Sequence, residues 1–323
     1  MMGMKMKIKS LWDECIKNTA SNQLGENEFQ LKRIQGVDKF GIYVGIDSSK
    51  NYIVAYNVVS RPPSISLKSA AIDYLTIERP DKSWFMVLRL VDEKLLNVFQ
   101  TLCEDLIDAT IGCDSEFLLI QLIEFRLRSW EKLFQSNGTG LLAEFQIKGL
   151  LGELIFLLDC IDSNQWSIDA TVSAWVGPQG ADQDFIFPDK SFEIKTVNIN
   201  GETISIASLD QLSSSLPITI IVIELLKVGA GMPDSFTLNE YVNKIEERVR
   251  DDPRSLMIFR STLLESSYVR HDYYDNFIFS RNSLNRYNVD EEFPRLTTEN
   301  VPDAIASCQY SINLDQLEKF KEL

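Results

Sequence analysis

The sequence predicts an α+β protein in two parts. An antiparallel β-sheet followed by helices comes first, and a helix, three meandering strands, a short helix and a buried strand come after it. Three observations carry that prediction. From Phe40 onward, apolar and polar residues alternate with period two between turn-forming groups, as sheet strands require. Residues 92–111 and 115–136 instead repeat apolar side chains at three- and four-residue spacing, the pattern of helices. The run Ser136-Asn137-Gly138-Thr139-Gly140 then breaks all periodicity and divides the chain into 1–136 and 137–323. A chain of 323 residues is long enough to bury two modest cores.

Taken in order, MMGMKMKIKS lacks the apolar centre of a secretory signal and reads as an alternative start or a disordered arm. Residues 11–35 carry mixed helical signals and end in Lys32-Arg33. FGIYVGID and YIVAYNVVS flank a DSSKN turn, and AAIDYLTIE and SWFMVLRLV follow, so 40–91 reads as a sheet of about four strands. Its aromatic residues have few basic neighbours and are expected to be core, not a base-stacking surface. In the second part, a helix over 141–160 places Phe145, Gly149, Gly152 and Phe156 on one stripe. A glycine inside a helix costs about 1 kcal/mol against alanine, so close packing on a sheet is the expected reason for two of them. Trp166–Val176 reads as the first core strand, 180–197 as a hairpin and Ile204–Ala207 as further strand. Ser208–Leu212 reads as a short helix capped by Ser208, and Pro217–Ile223 as a strand covered on both faces. A helix over 237–251 and a last strand and short helix in the tail complete the prediction.

The hairpin, GADQDFIFPDKSFEIKTV, carries the chemistry. Alternation puts Asp184 and Ile186 on one face of its first arm, and Glu193 and Lys195 on one face of its second. With Pro188–Ser191 as the turn, Asp184 is expected directly across from Lys195, with Glu193 its diagonal neighbour. Two carboxylates beside the Ile194 carbonyl form an oxygen-rich site suited to Mg²⁺ or Mn²⁺. Lys195 could orient or deprotonate a water and stabilise charge on a phosphorane-like transition state. Those are the groups that hydrolyse a phosphodiester. The competing account is an edge hairpin with an ordinary cross-strand Asp184–Lys195 ion pair. Glu153 borders the helical stripe and could join the metal through a water or hold a second ion; otherwise it is a solvent-facing glutamate. Gln211 is either within reach of the metal site or a phosphate, or a surface glutamine.

Composition narrows the alternatives. His271 is the single histidine, which excludes zinc sites needing two and makes a histidine-activated nucleophile improbable; it reads as a packing residue. The five cysteines are scattered without a Cys-x-x-Cys, so neither a zinc site nor a disulfide framework is expected, and a reduced, cytoplasmic setting fits. No apolar run is long and charge-free enough to span a bilayer. A net charge of −15 repels nucleic acid at long range, so protein partners that supply DNA capture are expected, and a homodimer is compatible. Beyond Pro253, six arginines interleave with aromatic residues; Arg270, Arg281 and Arg286 are candidate nucleic-acid contacts, and a salt-bridged protein interface explains the stretch equally well.

Over residues 140–230, Gly149–Leu158, Trp175-Val176-Gly177-Pro178, Asp184-Phe185 and Phe192–Val197 together resemble the PD-(D/E)XK nuclease superfamily. More narrowly, they resemble bacterial "PD-(D/E)XK motif proteins" linked with restriction and anti-phage defence. The resemblance implies a restriction-endonuclease-like αβββαβ core and a Mg²⁺-dependent DNA endonuclease. Asp184 and Glu193 would be metal ligands, Lys195 the residue that positions water, and Glu153 the acid of the preceding helix. One departure is that Gln183, not proline, precedes Asp184. The rival expectation is a non-catalytic, nuclease-like subunit that scaffolds a defence complex or grips DNA, and it is the one the acidic charge favours.

Overall fold

Period-two patterning builds a five-stranded antiparallel sheet in the first 140 residues, one strand more than expected. The computed structural model describes residues 2–19, 25, 28–35, 39–67, 71–110, 113, 115–135 and 141–322. The Ser136–Gly140 linker lies outside these residues. The chain divides into two compact units, Met1–Gly140 and Leu141–Leu323. In the first, the sheet runs β1 (Phe29–Arg33), β2 (Gly41–Asp47), β3 (Tyr52–Val58), β5 (Trp84–Leu90), β4 (Ile72–Glu78) in spatial order. The extra strand is β1, drawn from text that reads as helical; it pairs with β2 through Phe29↔Asp47 to Arg33↔Tyr43. The Met/Lys-rich start is helix α1 (Met2–Thr19), not a disordered arm. Trp12 of α1 stacks on Phe99 and donates to the Ile53 carbonyl at 3.1 Å. Phe99 belongs to α2 (Leu96–Thr110), which packs with α3 (Glu116–Gln135). The strand aromatics Tyr56 and Phe85 are buried, so they are core.

The second unit centres on a mixed four-stranded sheet in the order β10 (Phe279–Val289), β9 (Ile218–Lys227), β7 (Ser191–Asn198), β6 (Phe185–Ile186). β7 and β9 run parallel; the other two pairings are antiparallel. Alternation sorts β9 between two apolar layers. Ile221, Ile223 and Leu225 join the core beneath α4 (Glu144–Ser163), and Ile218, Ile220 and Val222 face a second core around Leu212, Tyr287 and Leu317. That double burial accounts for the unbroken apolar run. β8 (Thr203–Ile206) leaves the sheet and pairs with β11 (Tyr310–Asn313), while α6 (Leu238–Val249) and α7 (Pro253–Glu265) precede β10. No helix among the described residues is long and apolar enough to cross a membrane.

Three expectations are corrected here. Trp166–Val176 is not a strand. Its centre is helix α5 (Ile168–Ala174), capped by Ser167 Oγ, which accepts from Ala170 N, with Asp169 in the first turn; only Trp175 makes a bridge, to Phe185. The β-branched text reads as strand, but the cap decides. Ser208–Leu212 is a turn and not a helix: its backbone closes through Ser213 N donating to Asp210 O at 2.9 Å, and the side chains of Gln183 and Arg295 reach the carbonyls of Asp210, Gln211 and Leu212. The glycine stripe on α4 holds only in part: Phe145 is 74 % exposed and nothing lies near Gly149. Gly152 does meet the sheet. A Cβ there would fall far inside van der Waals contact with Thr196 Cγ2 and press on Ile194 Cγ2 at 3.3 Å.

Two alanine substitutions on this helix should therefore act with opposite sign. Gly149→Ala is expected to stabilise by up to about 1 kcal/mol through helix propensity alone. Gly152→Ala should destabilise, because Thr196 is β-branched on a strand and has no room to yield, and overpacking costs about 1–3 kcal/mol. Urea denaturation of both variants checks this; equal shifts would show that α4 does not press on β7 at Gly152.

Candidate active site

The β6–β7 pairing is short and sets the site. Its turn is Phe187–Lys190, closed by Phe187 N donating to Lys190 O at 2.9 Å, and the register is Phe185↔Phe192 and Ile186↔Ser191. Asp184 is thus not across from Lys195 as expected. The turn lies nearer the N-terminus than Pro188–Ser191, which shifts the pairing by two residues and puts Asp184 level with Glu193. A shift of two preserves the alternation, so the side chains keep their faces. Where the ladder stops, Asp184 Oδ2 accepts the Ile194 N–H at 2.8 Å. A strand residue points its N–H and C=O to the same edge, so the Ile194 carbonyl faces this side too.

Asp184 is pinned from behind as well. Its carbonyl accepts from Val176 N and Gly177 N at 2.9 and 3.0 Å. A Cβ on Gly177 would lie 2.6 Å from Asp184 Oδ1, so only glycine permits this approach. Glu193, 2 % exposed, bonds through Oε1 to Lys195 Nζ at 2.8 Å and to Gln211 Nε2 at 2.7 Å. The other Glu193 oxygen, Oε2, is buried without a hydrogen-bond partner. The Gln211 amide is oriented by its own oxygen, which accepts from Ala207 N at 2.7 Å. Glu153 Oε2 accepts from Trp175 Nε1 at 2.7 Å.

Charge is crowded here. Burial first, and then the neighbouring Asp184 charge, push the Glu193 carboxyl up to about 8, against the pull of Lys195. Burial also raises Asp184, opposed by the Ile194 N–H and Lys195, and raises Glu153, with Asp184 and Glu193 adding repulsion. Three acids that feel one another are thus set against a single lysine. A buried ion pair is a poor stabiliser unless its remaining lone pairs are satisfied, and Glu193 Oε2 is not. A buried acid with an unpartnered oxygen and a raised pKa marks a candidate functional site. Among the described residues, no three His, Cys, Asp or Glu side chains sit close enough to form a metal cluster by themselves. The donors on hand are Asp184, Glu193 and the Ile194 carbonyl, with Glu153 within electrostatic reach. This all-oxygen set, with one orphaned oxygen and surplus negative charge, suits a hard divalent cation.

The structure thus gathers Asp184, Glu193, Lys195 and Gln211, with Glu153 alongside. It does not bring the three arginines to them. Arg270 bonds Asn243 Oδ1 at 2.6 Å and Arg281 pairs with Asp159 at 2.7 Å. Arg286, level with Ile221, lies on the α4 face of the sheet, whereas Glu193, level with Ile220, is on the other. His271 caps a short 3₁₀ turn, its Nδ1 accepting from Tyr273 N at 3.0 Å. Sequence reasoning missed Trp175 and Gly177 as supports of Glu153 and Asp184. Their signal was the Trp-Val-Gly-Pro run itself, an indole donor and a glycine seven residues before an acid.

These features define a two-unit α+β protein whose second unit buries acids and a lysine at the end of a short antiparallel pairing. The chain belongs to the family described as "Putative PD-(D/E)XK family member (DUF4420)", which matches residues 8–315. No curated protein and no solved structure matches it.

The sign of the pH dependence follows from Glu193. Its folded pKa lies above the ordinary 4.5, so the stability from its protonated form is complete below that value and is lost as pH rises through about 8. In chelator, the melting temperature is expected to fall between about pH 5 and 9, and Glu193→Gln should make the fall shallower by its own share, while Asp184 and Glu153, also raised by burial, keep theirs. A parent curve as flat as the variant's would show that Glu193 is ionised throughout.

Proposed function

We propose that this protein is a Mg²⁺- or Mn²⁺-dependent phosphodiesterase that cleaves DNA within a bacterial restriction or anti-phage defence system. The observation that carries the reading is the convergence of Asp184, Glu193 and Lys195, with Glu193 Oε2 buried and unpartnered. Membership of a family described as PD-(D/E)XK supports it. The parts of the expected αβββαβ core that are present also support it: α4 precedes the acid-bearing pairing and β9 runs parallel to β7, although α5 stands in place of the first strand, β8 lies outside the sheet and the second helix is a turn.

Asp184, Glu193 and the Ile194 carbonyl would hold the ion, and Glu153 would reach it through water. When bound, a divalent ion supplies Lewis acidity and lowers the pKa of a coordinated water. Lys195 orients the attacking water and, held at 2.8 Å from Glu193, keeps its ammonium beside the scissile phosphate, where negative charge develops. Gln211 fixes the Glu193 carboxylate in one rotamer.

The second unit carries 29 acidic and 15 basic side chains, nearly all of the chain's excess charge. Long-range capture of a polyanion by this unit alone is therefore unfavourable, which supports protein partners that deliver the DNA. The same charge favours a second reading, a nuclease-like subunit without catalysis. Ion binding separates the two, because a native-state ligand raises the melting temperature.

Asp184→Ala is expected to fold and to lose more than about 100-fold of Mn²⁺-dependent DNA cleavage, beyond the 10–100-fold typical of residues that merely support a metal ligand. The parent, but not the variant, should melt later in Mn²⁺. Equal cleavage by the two purified proteins would refute the assignment, and a parent that binds no Mn²⁺ would favour the scaffold.

A further inference from the structure

The residue before Asp184 has a structural task that proline could not perform. Gln183 is 4 % exposed, and its Nε2 lies 3.3, 3.2 and 3.3 Å from the carbonyl oxygens of Asp210, Gln211 and Ser213. The Leu212 carbonyl between them accepts from Arg295 Nη1 at 2.5 Å. Gln183 Nε2 thus shares its two N–H bonds among the Asp210, Gln211 and Ser213 carbonyls, and Arg295 takes that of Leu212. Asp210 O also accepts from Ser213 N at 2.9 Å, so two side chains and one backbone bond close a turn that belongs to no helix or ladder. This turn is the one that aims Gln211. It also fixes Ser208, whose Oγ accepts from Gln211 N at 3.2 Å, and Leu212, which is fully buried in the core beside β9.

We propose that Gln183 is a positioning residue that acts through Gln211 on Glu193; the inference rests on the metal site set out under Proposed function. The path is short and continuous. Gln183 holds the 210–213 turn, and the turn holds the Gln211 backbone. The Gln211 amide, locked by Ala207 N, donates to Glu193 Oε1. With Oε1 occupied by Gln211 and Lys195, Oε2 is the oxygen left to meet an ion. Gln183 also adjoins Asp184 in the chain, so one residue ties the position of one acid to the orientation of the other. Without it the turn keeps the Ser213 N–Asp210 O bond, the Gln211 N–Ser208 Oγ bond and Arg295 on Leu212, but the Gln211 carbonyl loses its donor, which loosens the backbone that aims the Gln211 amide at Glu193.

Gln183→Met keeps the volume and removes the donor. Gln211→Met removes the last link, and the double variant completes a cycle. Two readouts are needed. Hydrogen exchange at the Ala207 amide reports the turn, and a calorimetric Mn²⁺ titration without substrate reports the site. Gln183→Met should raise Ala207 exchange and weaken Mn²⁺ binding about tenfold, as loss of a group supporting a metal ligand does. Gln211→Met should weaken it equally, and the double variant no further, because the residues act in series. Arg295→Met, which frees Leu212 without touching the Asp184 strand, should give a smaller change in the same direction, and it serves if Gln183→Met does not fold. Faster exchange with unchanged Mn²⁺ binding would overturn the inference and leave Gln183 a structural anchor only. Additive losses in the double variant would overturn the path through Gln211. A parent that binds no Mn²⁺ would instead refute the metal site itself, and the inference would fall with it.

Discussion

The contact between the Asp184 carboxylate and the Ile194 N–H decides where β6 ends and where the site begins. Had the β6–β7 ladder run further, a main-chain carbonyl would have taken that N–H and the acid would have projected as an ordinary strand side chain. Because the carboxylate replaces the backbone acceptor, the end of the strand and the position of the acid are one event. Val176 and Gly177 hold the same residue by its carbonyl, so Asp184 is restrained at both ends. Gly177 permits that grip only because it has no Cβ.

The stiffness of β7 comes from its neighbours. It lies parallel to β9, whose residues from Ile218 to Val222 are all buried, with apolar layers on both faces. On one side α4 comes close at Gly152; on the other, Glu193 and Lys195 share the face that packs against Ile220. Burying several acids beside one lysine is unfavourable, and each acid shifts toward its protonated form as a result. The apolar layers on both faces of β9 supply burial that offsets the cost of this crowded charge.

Local text determined much of this protein. Period-two alternation located the sheet of the first unit, three- and four-residue spacing located α2, α3 and α4, and the unbroken apolar run announced β9. The same alternation placed Glu193 and Lys195 on one face, and the two-residue register shift left that unchanged, because parity survives a slip of two. Side-chain faces and helix stripes are legible in a sequence because they depend only on the pitch of the local backbone.

Contacts between distant residues decided the rest. Text rich in Trp, Ile, Thr and Val became α5 once Ser167 capped it, and Ser208–Leu212 is a turn closed by Ser213 N on Asp210 O and buttressed from afar by Gln183 and Arg295. β8 found β11 more than a hundred residues away, and Gln211 reached Glu193 across eighteen. Which donor meets which acceptor across such gaps is settled by packing, and no periodicity encodes it. The sequence alone therefore identified the acids and the lysine, while the tertiary structure decided which oxygen each partner occupies and which one is left over.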